Sequence, residues 1–497
     1  MVKEFMRFKQ LYSIGLLLIV SGIIFSCTTN PKEAVGNPMQ TPQVSAASVK
    51  SPIEKAPEKS IPEKPLTEQE KTEAILSSIS EFMQKGDYSK ALDVFNQLKD
   101  ETAASDSMQR MKATIQATAG DVPEARSTLQ KLLEKNAKDE ETLLLLAHVE
   151  GLAGNGKEQK QILETIVSIN PKNTAALSTL GDIAYDSRIY KLAETYYDKA
   201  LSIDPNCGEA LIGKGRVNRY NRNPKVAEEA FNKAIGLNPS WALPLQERAR
   251  LYRENNFLRE ALADLDKAKA LAPNDYWVAL DRGNVLLDLG RKTEALGEYE
   301  RAININGDYF LAYVYSAGIK DELGDYPGAE QDYKKLSVLN PDYYFAFEAL
   351  GTLYFKDKRW SEARDAFLNA YTHAPSHKSY ALLAAISWYR SGKAAEAKGF
   401  LERVIPTVNQ NTIDWYMLRL FYDFTGDTDM ASRIGTEKNL DTKARMLYYL
   451  AQYYDLKGNT KLANTYFLLV RDMNRRNTIE WRLNDWEVQA RGLQNQS

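Results

Sequence analysis

Cysteine and histidine are the scarce residues of this chain, with two and three among 497 positions. So few exclude a disulfide framework and a multinuclear metal centre. An excess of either charge is also missing. Lys plus Arg number 64 against 66 Asp plus Glu, a formal charge of -2, so no global field draws the chain to nucleic acid, and any charge-based recognition is local. No Gly-x-Ser-x-Gly elbow and no His-Glu-x-x-His helix occurs, so the common signatures of hydrolytic chemistry are lacking. What is there is enough to fill a core: 44% hydrophobic and 26% charged residues exclude wholesale disorder and collagen-like order.

The N-terminus reads as an address. Lys3, Arg7 and Lys9 precede an apolar run from Leu11 to Phe25, followed by Ser26 and Cys27. A positive segment, an apolar segment and a small residue before the cut meet the requirements of export and cleavage. At 15 residues the run is short for a bilayer span, which needs about 20. These residues resemble a bacterial lipoprotein signal peptide over 1–26. The resemblance implies that Cys27 carries the lipid and that the protein is a membrane-anchored lipoprotein of the cell envelope. Thr28 in place of Asp after that cysteine implies the outer membrane, facing the periplasm. Seven of the chain's 18 prolines fall between Thr28 and Leu66, so 27–66 is expected to be a disordered Pro/Lys/Glu-rich tether. Its extended reach is on the order of 100 Å at about 3.1 Å per residue. With Cys27 acylated, Cys207 keeps the remaining thiol and no internal disulfide is available.

Position arithmetic governs the rest. Ala193, Ala227, Ala261, Ala295, Ala329, Ala363 and Ala397 follow one another at intervals of 34. Gly181, Gly215, Ala249, Gly283, Ala317, Gly351 and Ala385 keep the same interval, as do Leu163, Tyr197, Phe231, Leu265, Tyr299, Tyr333, Phe367 and Leu401. Pro171, Pro205, Pro239, Pro273, Pro341 and Pro375 form another series, with Gly307 at its one gap. Two antiparallel helices approach closely only where a small side chain admits the partner's ridge. Proline ends the helix before it, because it lacks an amide donor and forces its predecessor out of helical geometry. Each period is therefore a helical hairpin, too thin to bury its apolar face alone, and many copies stack to share a core.

Leu177, Leu180, Gly181, Ala184, Ala193, Tyr197, Ala200 and Pro205 carry a resemblance to the tetratricopeptide repeat (TPR) family. It implies an all-α, right-handed TPR superhelix, an α-solenoid of about twelve helix-turn-helix repeats over 67–477. Repeats begin at Thr72, Asp106, Glu140, Thr174, Gly208, Ala242, Tyr276, Phe310, Tyr344, Lys378, Thr412 and Ala444. Ile479, Leu483, Trp486 and Ala490 at helical spacing predict a capping helix and tail over 478–497, covering the last open face.

Chemistry-bearing motifs are few. Gly208 to Gly215 follows a phosphate-binding loop for seven places, but Gly215 stands where Ser or Thr holds magnesium, and no strand precedes it. Packing explains Gly215, so no nucleotide is expected. Pro375 separates His373 from His377 and denies them a shared helix face, so they read as exposed loop histidines. His148 reads as a hydrogen-bonding side chain of a first helix. No cofactor and no metal is expected.

The family resemblance further implies that repeat positions 2, 5, 9 and 12 of the first helices line an inner groove. There stand Arg216 and Arg219 in one repeat and Arg250 and Arg253 in the next, expected as a two-by-two array. Trp277, Leu311 and Phe345 adjoin them as an apolar stripe, with Tyr185 and Phe355 on the same wall. Two readings stay open for the arginines: bidentate capture of a carboxylate on a protein or peptide segment, or pairing with Glu209, Glu247 and Glu254. The stripe reads either as packing between repeats or as a binding surface. Asn284 takes position 9, yet Leu280 stands where the family's carboxylate clamp has lysine, so that clamp's ligand is not implied. The function expected is a non-enzymatic adaptor or assembly scaffold. A peptidoglycan-active envelope enzyme and a surface-exposed adhesin are the alternatives.

Overall fold

The computed structural model describes residues 67–494, so the signal peptide, Cys27 and the tether lie outside the described residues. Helices and their connections make up all of the described chain. Two compact bodies divide it, one ending at Pro239 and the other starting at Ser240. Five hairpins belong to the first body and seven to the second, the latter followed by the helix Ile479–Ala490.

Local chemistry sets the hairpin ends. Asp121, Asp139, Asn173 and Thr412 each accept a backbone N–H of the helix that follows, which satisfies a donor the first turn leaves open. After the second helix the chain leaves through an extended residue, such as Asn170 before Pro171, as a proline requires of its predecessor. Between the two helices of a hairpin, backbone of positive φ recurs at the same repeat position. Gly86, Gly120, Gly154, Gly290, Gly324, Gly392 and Gly426 occupy it, and Arg188, Arg222, Asn256 and Lys358 do so with φ of 62, 59, 63 and 59°. Glycine enters that region without steric cost; the other four are held there by the packing on either side.

The period-34 alanines from Ala193 to Ala397 are all 0% exposed, so each is a contact point between helices. Glycines and rings are matched across the hairpin. A methyl group built on Gly181 would stand 2.5 Å from the Tyr197 ring, on Gly215 2.4 Å from Phe231, on Gly283 2.8 Å from Tyr299 and on Gly351 2.7 Å from Phe367. No carbon fits at those distances, so the ring occupies the volume the glycine vacates. Where the small residue is Ala249 or Ala385, the partner shrinks to Leu265 or Leu401. Ala317 breaks the rule by facing Tyr333. Tyr333 is only partly buried, while its counterparts Tyr299 and Phe367 are fully so.

Three expectations need correction at the ends of the array. The first helix of the first repeat starts at Glu68, ahead of Thr72, because Thr67 and Glu70 form a reciprocal cap. That repeat's second helix is broken into Tyr88–Phe95 and Asp100–Ala103. In the twelfth repeat the first helix runs Leu440–Leu456, four residues ahead of Ala444, with Asn439 as its cap.

Candidate functional site

Gly208–Tyr220 is helical throughout, so the phosphate-loop look-alike is no loop, and Gly213 and Gly215 serve the rings of Tyr197 and Phe231. His373 closes the helix Trp360–His373 with Nδ1 3.4 Å from Asp342; it belongs to the last helical turn and not to a loop. Burial lowers the pKa of His148 to about 4, so it stays neutral. Cys207 is buried near the Ser178 hydroxyl, 3.5 Å away, and burial raises its pKa. Among the described residues no His, Cys, Asp and Glu cluster suits a metal, and no helix is long and apolar enough to cross a membrane.

The four arginines fall in different bodies, Arg216 and Arg219 in the first and Arg250 and Arg253 in the second. In the first body Arg216 acts on Asp182, which also accepts a hydrogen bond from the Tyr197 hydroxyl at 2.7 Å. Burial lifts the Asp182 pKa from 3.8 to about 6 in spite of both neighbours. A folded state that holds a proton more tightly than the unfolded chain gains from it below about pH 4 and loses that gain as the pH rises through about 6. Asp182→Asn, which keeps an oxygen for Tyr197, should therefore gain in urea midpoint over the wild type between about pH 5 and about pH 8. A difference that does not change with pH would show that Asp182 ionises freely.

In the second body the arginines are engaged. Arg250 donates through Nη1 to Glu247 at 2.7 Å and through Nε to Asp281 at 2.8 Å. Arg253 donates through Nε to Asp288 at 2.5 Å. Burial opposes the Arg250 charge, but Asp281 and Glu247 outweigh it and keep the pKa above that of a free guanidinium. Glu247 is one of the partners the sequence offers. Asp281 and Asp288, on the next first helix, are not among them, although spacings of 31 and 35 from the arginines place them within reach.

The stripe divides as well. Phe345 is 49% exposed, and Trp277 and Leu311 are partly buried. Trp277 packs against Tyr276 and Tyr309, with ring centroids 5.0 and 5.2 Å away. Phe355, expected on the same wall, is 3% exposed and packs edge-on against Trp360 and Phe367. Asn284 accepts a hydrogen bond from the Tyr299 hydroxyl at 2.8 Å, which orients a core ring.

The terminal helix holds the largest departure. Ile479–Ala490 does cover the last hairpin: Leu483 and Val488 are buried, and Asn484 donates to the Phe467 carbonyl at 3.0 Å. It also crosses onto first helices far earlier in the chain. Arg482 grips Asp321, 161 residues away, with Nη1 to Oδ2 at 2.8 Å. Glu480, 2% exposed, accepts from the Tyr449 hydroxyl at 2.6 Å and from the Ser379 hydroxyl. Trp486 meets Tyr326 edge-on, and Lys356 lies over both rings. Asp321 and Ser379 stand at positions 12 and 2 of their repeats, so the helix lies on the wall expected to take a ligand. Beside it is a cavity of about 320 Å³, with Tyr333, Tyr343, Phe345, Glu348, Ile479 and Arg482 in its lining.

A model of the tetratricopeptide repeat matches residues 178–241, 247–309, 319–378 and 349–411. This chain is a tetratricopeptide repeat protein. Several solved structures are similar to this chain at low identity. A tetratricopeptide repeat protein of Parabacteroides merdae is 21% identical over 50% of this chain and 97% of its own, with a TM-score of 0.39. PilF of Pseudomonas aeruginosa is 21% identical over 41% and 92%, at 0.37. Human IFIT1 is 16% identical over 81% and 90%, at 0.44. No curated protein matches the chain. Tetratricopeptide repeat proteins bind peptide or protein partners, and here part of the first-helix wall carries the chain's own last helix.

Proposed function

We propose that this tetratricopeptide repeat protein is a lipid-anchored adaptor or assembly scaffold of a bacterial cell envelope, held to the outer membrane through Cys27 and binding a protein segment on its first-helix wall. The observation that carries the reading is the unbroken repetition of hairpins, on whose first-helix wall the Phe345 ring stays open to solvent. An acidic stretch of the partner reaches Arg250 and Arg253 only by displacing Asp281 and Asp288. Apolar contact at Phe345 and Trp277 therefore takes the larger share of the binding we propose. The lipoprotein-like segment before Cys27 supports the anchor, and multiple acyl chains hold firmly at about 0.8 kcal/mol per buried methylene.

Two measurements test this together. Cys27→Ser should move the protein from the membrane fraction to the soluble one; retention in the membrane defeats the anchor. A photo-crosslinking amino acid at position 345 should capture one specific partner in cells, whereas the same group at Val338, 73% exposed on a second helix, should not. Equal capture at both positions defeats the binding wall.

A further inference from the structure

The cavity of the second body has an unusual wall and a charge. Its wall includes Tyr333, which is only partly buried where its repeat counterparts Tyr299 and Phe367 are fully so. Its charge follows from three side chains. Arg482 and Asp321 satisfy each other through a two-pronged ion pair, so the carboxylate of Glu348 sets the net sign, which is negative. One oxygen of that carboxylate, Oε2, accepts from the Tyr380 hydroxyl, and Oε1 has no hydrogen-bond partner among the described residues. Burial, joined by the nearby charge of Glu480, raises the Glu348 pKa, and the opposing pull of Tyr380, His377 and Arg482 does not offset it. Above it the Tyr343 and Phe345 rings lie 5.5 Å apart at an interplanar angle of 53°, with Phe345 half open to solvent.

We infer that this cavity is a pocket for a lysine side chain of the partner protein, its ammonium on Glu348 and its methylenes against Tyr343 and Phe345. The inference rests on the scaffold reading above and adds the chemistry of what is recognised. Aromatic faces attract a cation and cover an aliphatic stem at once. The volume is at the lower end of the roughly 300–1,000 Å³ of small-molecule sites, which suits one side chain. Arginine fits worse, because its planar fork seeks both oxygens of a carboxylate, and Tyr380 already holds one of them.

Saturation-transfer NMR on the intact chain tests this with the peptides acetyl-Gly-Gly-Lys-Gly-Gly-amide and its norleucine, arginine and glutamate counterparts at millimolar concentration. The lysine peptide should bind, with its ε-methylene protons the most strongly saturated and an affinity about fivefold above the norleucine peptide. Glu348→Gln keeps an acceptor for Tyr380, and Phe345→Ala changes an exposed residue, so both should fold while losing that preference. Norleucine or arginine binding as well as lysine, a preference for the glutamate peptide, no saturation at all, or a preference that survives Glu348→Gln each overturns the inference. A free diamine, 1,5-diaminopentane, binding more than about tenfold tighter than the lysine peptide also overturns it, since the ligand is then a small amine and not a partner's side chain. Specific crosslinking at position 345 alongside a failure of the peptides leaves the scaffold reading standing and removes this one alone.

Discussion

Tyr197→Ala should lower the stability of the first body by about 3 to 5 kcal/mol, as large-to-small changes of a buried ring do. The ring is 0% exposed and fills the space of two glycines at once. A methyl group on Gly181 would approach it to 2.5 Å, and one on Gly213, in the following repeat, to 2.2 Å. It therefore joins two hairpins, and its loss opens a void that helices fixed by their other contacts close only in part. Tyr197→Phe removes just the hydroxyl given to Asp182 and should cost about 1 kcal/mol. The urea midpoints of the two variants separate the contributions. An alanine variant no worse than the phenylalanine variant would mean that the repeats do not owe their spacing to ring-into-glycine packing.

Glu480→Leu has the next largest expected effect, about 3 kcal/mol, because it deprives two buried hydroxyls of their acceptor at a cost of roughly 1 to 3 kcal/mol each. Tyr449 and Ser379 both donate to this carboxylate, and Tyr449 has nowhere better to turn: its next acceptor is the Ser379 carbonyl at 3.4 Å. Glu480→Gln retains an oxygen and should recover most of the loss. Thermal melting of the two variants checks this, and equal melting temperatures would show that Glu480 is a passenger in the last helix.

Periodicity makes the hairpins readable. Fully buried alanines and helix-ending prolines recur whatever the ligand, so arithmetic on positions locates the helices from Asp106 to Val404 closely. The coupling of glycine with rings and alanine with leucine is present in the same series, and so is the recurrent left-handed turn at Gly86, Gly120 and Gly154, but each emerges only when two series are compared. The ends are harder. Caps at Thr67 and Asn439 extend helices beyond the repeat frame, and a capping side chain acts locally without regard to period. The arginine positions are legible as residues but not as charges. Glu247 aside, what neutralises Arg250 and Arg253 comes from positions 6 and 13 of the next repeat, outside the set expected to face a groove. Nothing in a local pattern announces that Arg482 seeks Asp321, since a contact across 161 residues leaves no interval to count.

That contact alters how the array comes apart. A stack in which every layer touches only the next one unzips from its free end, layer by layer, with little cooperation between distant members. Here the final segment doubles back and clasps layers several steps inward, much as a buckle fastens a strap. The end from which unravelling would begin is thereby tied to the interior. Losing the last hairpin means releasing Asp321 and Ser379 as well, and the C-terminal third is bound into one cooperative block.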